Sequence, residues 1–236
     1  FWDHGINDNT VIWLCHYDGS VVTFLEYYEK NGEVAAWYCR RRAWLRGEFH
    51  TVNGKVIYSG EGKLDPEACY LTRDQQVHYL REWGEPGRLH GFPLYSYGDS
   101  AGGNIESDGV QGWHGRFKLG SRVSGTDGRS HTVGKFNMRK APKPLVSDRI
   151  ETCKWALESG RVQFAQDERL VQYAHEVSRG VGRLENYHRR IDRNTGEVAQ
   201  QKPVHDDSSH AADAFGYAMV HYFGVQAAGV YGVPLS

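Results

Sequence analysis

The sequence predicts a mixed α/β fold, and three observations carry that expectation. β-branched and aromatic runs open the chain between Val11 and Tyr28, amphipathic stripes alternate with short strand-like runs after them, and the last long helical stripe spans Ser208 to Phe223. The 236 residues, 39% hydrophobic and 24% charged, suffice for one large domain or two small ones with a buried core, and they exclude a disordered tail. Twenty-eight Lys and Arg stand against 29 Asp and Glu, a net charge of -1, so no global basic field announces a nucleic acid or a membrane. Any polyanionic partner must be held by local patches.

Taken in order, Val11 to Cys15 and Val21 to Tyr28 read as an antiparallel hairpin joined by the turn chemistry of Tyr17-Asp18-Gly19-Ser20. After Asn31-Gly32, the residues Val34, Trp37, Tyr38, Arg41, Trp44 and Leu45 recur at helical spacing until Gly47. Phe49 to Val52 and Lys55 to Tyr58 flank Asn53-Gly54, the signature of a second, small hairpin. Thr72 and Gln75 have the spacing of a capping box, and Val77, Leu80 and Trp83 continue a helical stripe to Gly84. Pro93 to Tyr97 reads as a strand that delivers Asp99 to a glycine-rich turn. Glycines interrupt everything from Ser107 to Ser130, which predicts a long loop.

Beyond Pro142 and Pro144, the residues Val146, Ile150, Cys153 and Leu157 form a helical stripe closed by Gly160. Arg161 to Phe164 is a short strand, and Tyr187 to Ile191 pairs with Val198 to Gln201 across Arg193-Asn194-Thr195-Gly196. The final helix is expected to be capped by Asp206, Asp207 or Ser208, capping being the preferred role for Asp207, and has Ala211, Phe215, Ala218, Met219 and Tyr222 as its core stripe. His210, Asp213, Tyr217 and His221 fall in another sector. The four cysteines, Cys15, Cys39, Cys69 and Cys153, are too far apart for a zinc knuckle or a redox pair. No apolar run reaches a membrane span, and the residues from Phe1 to His4 lack a charged-then-apolar leader, so a soluble, intracellular protein is expected.

Three acids stand where punctuation would hold them at an element's edge: Asp3 in Asp3-His4-Gly5, Asp99 after its strand, and Asp213 in the last helix. Carboxylates presented rigidly from several elements suit hard divalent cations, and two such ions can activate a water and stabilise the leaving oxygen of a phosphodiester. Taken singly, each acid is equally at home as a turn residue, a helix cap or a solvated group.

Asp3-His4-Gly5-Ile6-Asn7-Asp8-Asn9-Thr10 before a strand, Tyr97-Gly98-Asp99-Ser100-Ala101-Gly102 after one, and His205-Asp206-Asp207-Ser208-Ser209-His210-Ala211-Ala212-Asp213-Ala214-Phe215-Gly216-Tyr217 resemble the nuclease domain of tailed-phage large terminase subunits. The resemblance covers nearly the whole chain in family order. It implies one RNase H-like domain over 1–236, with a tail from 225: a mixed central β-sheet flanked by α-helices, here with an extra β-hairpin. It also implies an endodeoxyribonuclease that cuts concatemers of double-stranded viral DNA during packaging in the host bacterial cytoplasm, using two Mg²⁺ or Mn²⁺ ions. Position by position, Asp3, Asp99 and Asp213 take the acidic triad, Asp8 an auxiliary acid and His210 a histidine near the metals, while Asp206 competes as the third acid. An ATPase domain, a small terminase subunit and a portal are the implied partners. No phosphate loop of the Gly-x-x-x-x-Gly-Lys-Ser/Thr type occurs, since Gly134-Lys135 is followed by Phe136, so the chain is expected to be the nuclease half without the motor. The segment from Arg46 to Pro93 exceeds what the family needs.

Phosphate contacts are expected from Arg139, Lys140 and Lys143 and from Arg189, Arg190 and Arg193, in preference to Arg40-Arg41-Arg42, whose consecutive helical positions point around the axis. The seven tryptophans are more economically core than a stacking platform. An actin-like ATPase would need a duplicated half that is missing. A Holliday-junction resolvase of the same superfamily, and a non-catalytic docking module of the packaging motor, stay open.

Overall fold

A computed structural model describes residues 1–4, 9–49, 51–52, 55–56, 71–99, 112–126, 128–165, 171–191, 198–204 and 206–226. The turns expected at Asn53-Gly54 and Arg193-Asn194-Thr195-Gly196, the tail from 227, and the candidate residues Asp8 and Arg193 lie outside them. The chain divides into two compact units.

The first unit holds Phe1–Gly32, Tyr97–Ala101 and Lys140–Ser236. Strands β1 (Trp2–Asp3), β2 (Asn9–Tyr17) and β3 (Val22–Asn31) form an antiparallel meander, with a register shift between Leu14 and Cys15. The β2–β3 turn forms as its chemistry requires: Asp18 Oδ1 accepts from the amides of Ser20 and Val21, both at 2.8 Å. β10 (Val162–Phe164) adds to β3 in parallel, and β6 (Ser96–Gly98) adds to β1 in parallel. With β9 (Met138–Lys140) the sheet order is β10-β3-β2-β1-β6-β9, six strands in all. Helices α4 (Val146–Glu158), α5 (Val171–Glu185) and α6 (Asp207–Phe223) flank it, so the mixed sheet with flanking helices is the architecture that the family resemblance implies. β11 (Arg189–Ile191) and β12 (Val198–Pro203) pair as the late hairpin.

The core of this unit gathers Val11, Trp13, Phe24 and Tyr27 of the sheet against Ala211, Phe215, Ala218 and Met219 of α6. The Trp13 indole N–H donates to the Ala211 carbonyl at 3.0 Å, satisfying a buried donor and fixing α6 on β2. Glycine lets α5 come equally close. A Cβ at Gly180 would overlap Trp13 Cη2 and stand 2.6 Å from Tyr27 Cγ. Near that contact the buried Glu29 of β3 accepts from the Tyr27 hydroxyl and from Arg179 and Arg183 of α5. Burial opposes the charge on Glu29, but the Arg183 and Tyr27 hydrogen bonds and both guanidinium charges outweigh it and hold the carboxyl below its usual range.

The second unit holds Glu33–Ser96 and Gly102–Arg139. Helices α1 (Ala35–Arg46) and α2 (Arg73–Trp83) enclose an aromatic core in which Trp37 meets Trp83 edge-on at 4.9 Å and Tyr79 stacks on Trp83 at 4.1 Å. The expected capping box is present at Thr72 and Gln75. The expected α2 stripe is corrected. Trp83 is buried as expected, but Val77 and Leu80 are exposed and Tyr79 shares the buried face, because the larger rings remove more apolar area from water. β4 (Thr51–Val52) and β5 (Lys55–Val56) pair as the small hairpin.

Two further expectations are overturned. The loop read from Ser107 to Ser130 contains α3 (Trp113–Leu119) and β7 (Ser121–Ser124), which pairs with β8 (Ser130–Val133). Its glycines punctuate short elements: Gly112 caps α3, Gly120 ends it, and Gly125 and Gly128 lie in the turn. In α4 the expected stripe holds only in its middle, where Cys153 packs partly buried against the core; Val146 and Leu157 are exposed and the buried face is Arg149, Thr152 and Ala156, since a paired arginine can be buried where an aliphatic side chain is left outside. Helix α5 has no counterpart in the sequence reading. Five of the seven tryptophans, Trp2, Trp13, Trp37, Trp44 and Trp83, are buried, in keeping with a core role. Cys15, Cys39 and Cys153 are free thiols. Among the described residues no helix is long and apolar enough to cross a membrane.

Candidate active site

Two of the three acids are brought together by strand pairing. β1 and β6 run parallel with Trp2 opposite Gly98, so Asp3 and Asp99 leave neighbouring strands at the same end. The third arrives on α6. The Trp13–Ala211 hydrogen bond fixes that helix over β2, and the next residue back, His210, places Nδ1 2.7 Å from Asp3 Oδ2. The carboxylate oxygen accepts and the ring N–H donates. Both partners are buried, Asp3 at 7% and His210 at 7% exposure.

Asp213 lies one helical turn further along. It is bound by the guanidinium of Arg149, which α4 supplies and which is buried against α6. Gly216 makes the room: a Cβ there would stand 2.5 Å from Arg149 Cγ and 2.6 Å from Cδ. The guanidinium also lies over the Tyr217 ring, 5.2 Å from its centroid. Burial pushes the Asp213 carboxyl up to about 6; the Asp3 charge adds to this, and Arg149, His210 and Lys143 oppose it. Asp99 accepts from Lys143 Nζ at 2.9 and 3.1 Å.

Tyr217 is where the three acids act together. Burial pushes its hydroxyl up first, and the charges of Asp3, Asp99 and Asp213 push it further. The α6 sector containing His210, Asp213 and Tyr217 is therefore not a wet helix face. It is packed, and the acid and the histidine in it are paired.

Asp206 does something else. It is the N-cap of α6, its Oδ1 accepting from the amides of Ser208 at 2.9 Å and Ser209 at 3.1 Å, with the Ser209 hydroxyl completing a capping box. Of the three residues expected as possible caps Asp206 is therefore the one, and Asp207, for which capping was the preferred role, instead sits 3.3 Å from Arg183.

Of the basic residues expected on phosphate, Lys143 is engaged with Asp99, Arg139 lies over the Tyr95 ring at 4.6 Å, and Lys140 is exposed. Arg189 and Arg190 lie on β11, and their side chains are outside the description. Sequence reasoning missed Arg149 and the pairing role of Lys143. The available signal for Arg149 was its place at the head of the small stripe Thr152 and Ala156, facing Gly216.

Among the described residues no three Asp, Glu, His or Cys side chains form a group arranged to hold a metal ion. Each acid is turned to a basic partner: Asp3 to His210, Asp99 to Lys143 and Asp213 to Arg149. The donor set itself, three carboxylates with one imidazole, is the chemistry that Mg²⁺ and Mn²⁺ take.

No known family description matches the sequence, and no curated protein does. Solved structures do. The chain is similar to phage large terminases. Two crystal forms of the large terminase from a thermophilic bacteriophage share 15% and 14% identity over 93% of this chain, with TM-scores of 0.44 and 0.43. The nuclease domain of the g2p large terminase from bacteriophage SPP1, with bound Mn, shares 13% identity over 93% of this chain and 83% of its own, with a TM-score of 0.46. The chain spans only 38% and 37% of the two thermophilic-phage chains.

Proposed function

We propose that this chain is a divalent-metal-dependent endonuclease that cuts double-stranded DNA during viral genome packaging. The observation that carries the proposal is the presentation of Asp3 and Asp99 from one end of two parallel strands, with Asp213 on the helix packed across them. Asp3, Asp99 and Asp213 are the residues that would hold the ions, with His210 orienting Asp3 and Asp8 as an auxiliary acid. Divalent ions bound there supply Lewis acidity, lowering the pKa of a water and stabilising the leaving oxygen. The chain's own part is to hold carboxylates at fixed positions. His210 fixes one rotamer of Asp3, Tyr217 is buried within reach of all three acid charges, and Lys143 and Arg149 neutralise Asp99 and Asp213 when no ion is bound.

The test is cleavage of linear duplex, supercoiled plasmid and a four-way junction, with and without Mn²⁺ or Mg²⁺. The expected result is metal-dependent cutting of linear and plasmid duplex with little sequence preference, abolished in Asp99→Ala. Selective cutting of the junction would make the protein a resolvase, and no cutting of any substrate would leave a docking module. Cleavage by Asp99→Ala at the wild-type rate would remove the acid assignment.

A further inference from the structure

The module of α3, β7 and β8 has a charge unlike the rest of the chain. Residues 112–139 carry Arg116, Lys118, Arg122, Arg129, Lys135 and Arg139 against a single acid, Asp127. That segment is +5 in a chain of -1, so the remainder is -6. Like charges gathered without interleaved acids repel one another within a Debye length, so such a cluster costs stability unless a polyanion meets it.

The fold concentrates three of these charges. Lys118 stands two residues before Gly120 and Arg122 two residues after it, and the Lys135 side chain lies across Gly120 itself. A Cβ there would stand 2.8 Å from Lys135 Cγ and 2.7 Å from the Val133 carbonyl oxygen, and its φ of +76° disfavours any other residue. The pairing of Ser121 with Val133 and Arg122 with Thr132 sets this approach. Inside, Phe117 stacks on Phe136 at 4.6 Å, so their neighbours Lys118 and Lys135 are turned outward and exposed. Along β7 burial alternates, with Ser121 and Val123 inside and Arg122 and Ser124 outside. Among the described residues Lys118, Arg122 and Lys135 make no ion pair. Ser124, Ser130 and Thr132 add exposed hydroxyl donors on the same two strands.

We infer that this module is a second DNA-contact surface, with Lys118, Arg122 and Lys135 on phosphate oxygens of a duplex. Cations and hydroxyls on a short rigid hairpin position a backbone and read no bases. The inference rests on the proposed nuclease reading for its choice of polyanion.

Binding of a fluorescent mixed-sequence duplex, measured by anisotropy without divalent ions over a salt series, tests it. The triple substitution Lys118→Gln, Arg122→Gln, Lys135→Gln should weaken binding and flatten the slope of log affinity against log salt by about 2 to 3, near 0.9 for each lost contact. Exchanging Arg73 and Arg81, exposed on α2, for Gln should leave the slope as it was. Thermal melting identifies any loss of fold, and single Lys118→Gln and Lys135→Gln variants, each worth about 0.9 in slope, then carry the test. An unchanged slope and affinity in the triple variant, or no duplex binding by the wild type, overturns the inference. The nuclease reading is judged separately, by metal-dependent cutting by the wild-type protein.

Discussion

Arg149 holds Asp213 from inside the protein: an arginine with only 5% exposure, seated over Gly216, reaches a carboxylate that the proposed chemistry needs for a metal ion. The pair is a standing competition between an internal cation and an external one. Arg149→Met keeps the aliphatic stem and removes the charge, leaving a half-buried carboxylate without its partner, at a cost of about 1 to 3 kcal/mol in the absence of metal. Mn²⁺ should restore more stability to this variant than it adds to the wild type. Melting with and without Mn²⁺ measures both shifts, and equal shifts would mean that Arg149 does not compete.

The raised carboxyl of Asp213 gives stability a pH dependence of definite sign. The folded state keeps the proton up to about 6, whereas the ordinary value is 3.8. The contribution of this group to stability is therefore complete below 3.8 and is lost as pH rises through about 6. Binding of Mn²⁺ should run the other way, weakening as pH falls through the same range, because ion and proton compete for the carboxylate. Calorimetric titrations on either side of about pH 6, with Asp213→Asn as control, check this.

Asp206 and Asp213 should separate cleanly. Asp206→Ala removes a cap and should cost about 1 kcal/mol while cleavage survives. Asp213→Asn should lose cleavage by orders of magnitude. If the cap variant proves the more damaged enzyme in the plasmid assay, the assignment of the third acid is wrong.

Glu29 supplies an acid-sensitive clamp between β3 and α5. Its carboxyl is held below 4.5, so its stabilisation is present above that value and is lost as pH falls below it, through the depressed folded value. Glu29→Gln should cost on the order of 2 kcal/mol at neutral pH and flatten the acid limb of the unfolding profile. Denaturant titrations across that limb compare the two proteins.

Gly180→Ala should cost about 1 to 3 kcal/mol through overpacking against Trp13 and Tyr27. Chemical unfolding reads the loss, and the variant should still bind Mn²⁺ where its fold is intact.

Local chemistry was legible, and tertiary pairing was not. The Asp18 turn, the Thr72–Gln75 cap and the core stripe of α6 are decided by neighbours within a few residues, and each is found as read. The faces of α2 and α4 were misread in part because deciding partners are remote: Tyr79 packs on Trp44 of α1, and Arg149 pairs with Asp213, 64 residues away. Short elements between glycines, as in α3 and β7, give too few periods to read. At the site, the three acids stood out by motif, whereas their partners Lys143 and Arg149 had no signature of their own.

His210 and Asp3 are 207 residues apart in sequence, and Trp13 and Ala211 are 198 apart. The first strands of the sheet are thus made long before the helix that covers them. A nascent chain that stops short of α6 has neither the packing over Trp13 nor two of the groups around the acids, His210 and Asp213. On the proposed function, cutting ability is switched on only when this helix emerges and docks. A half-made polypeptide on the ribosome therefore poses no danger to the DNA around it.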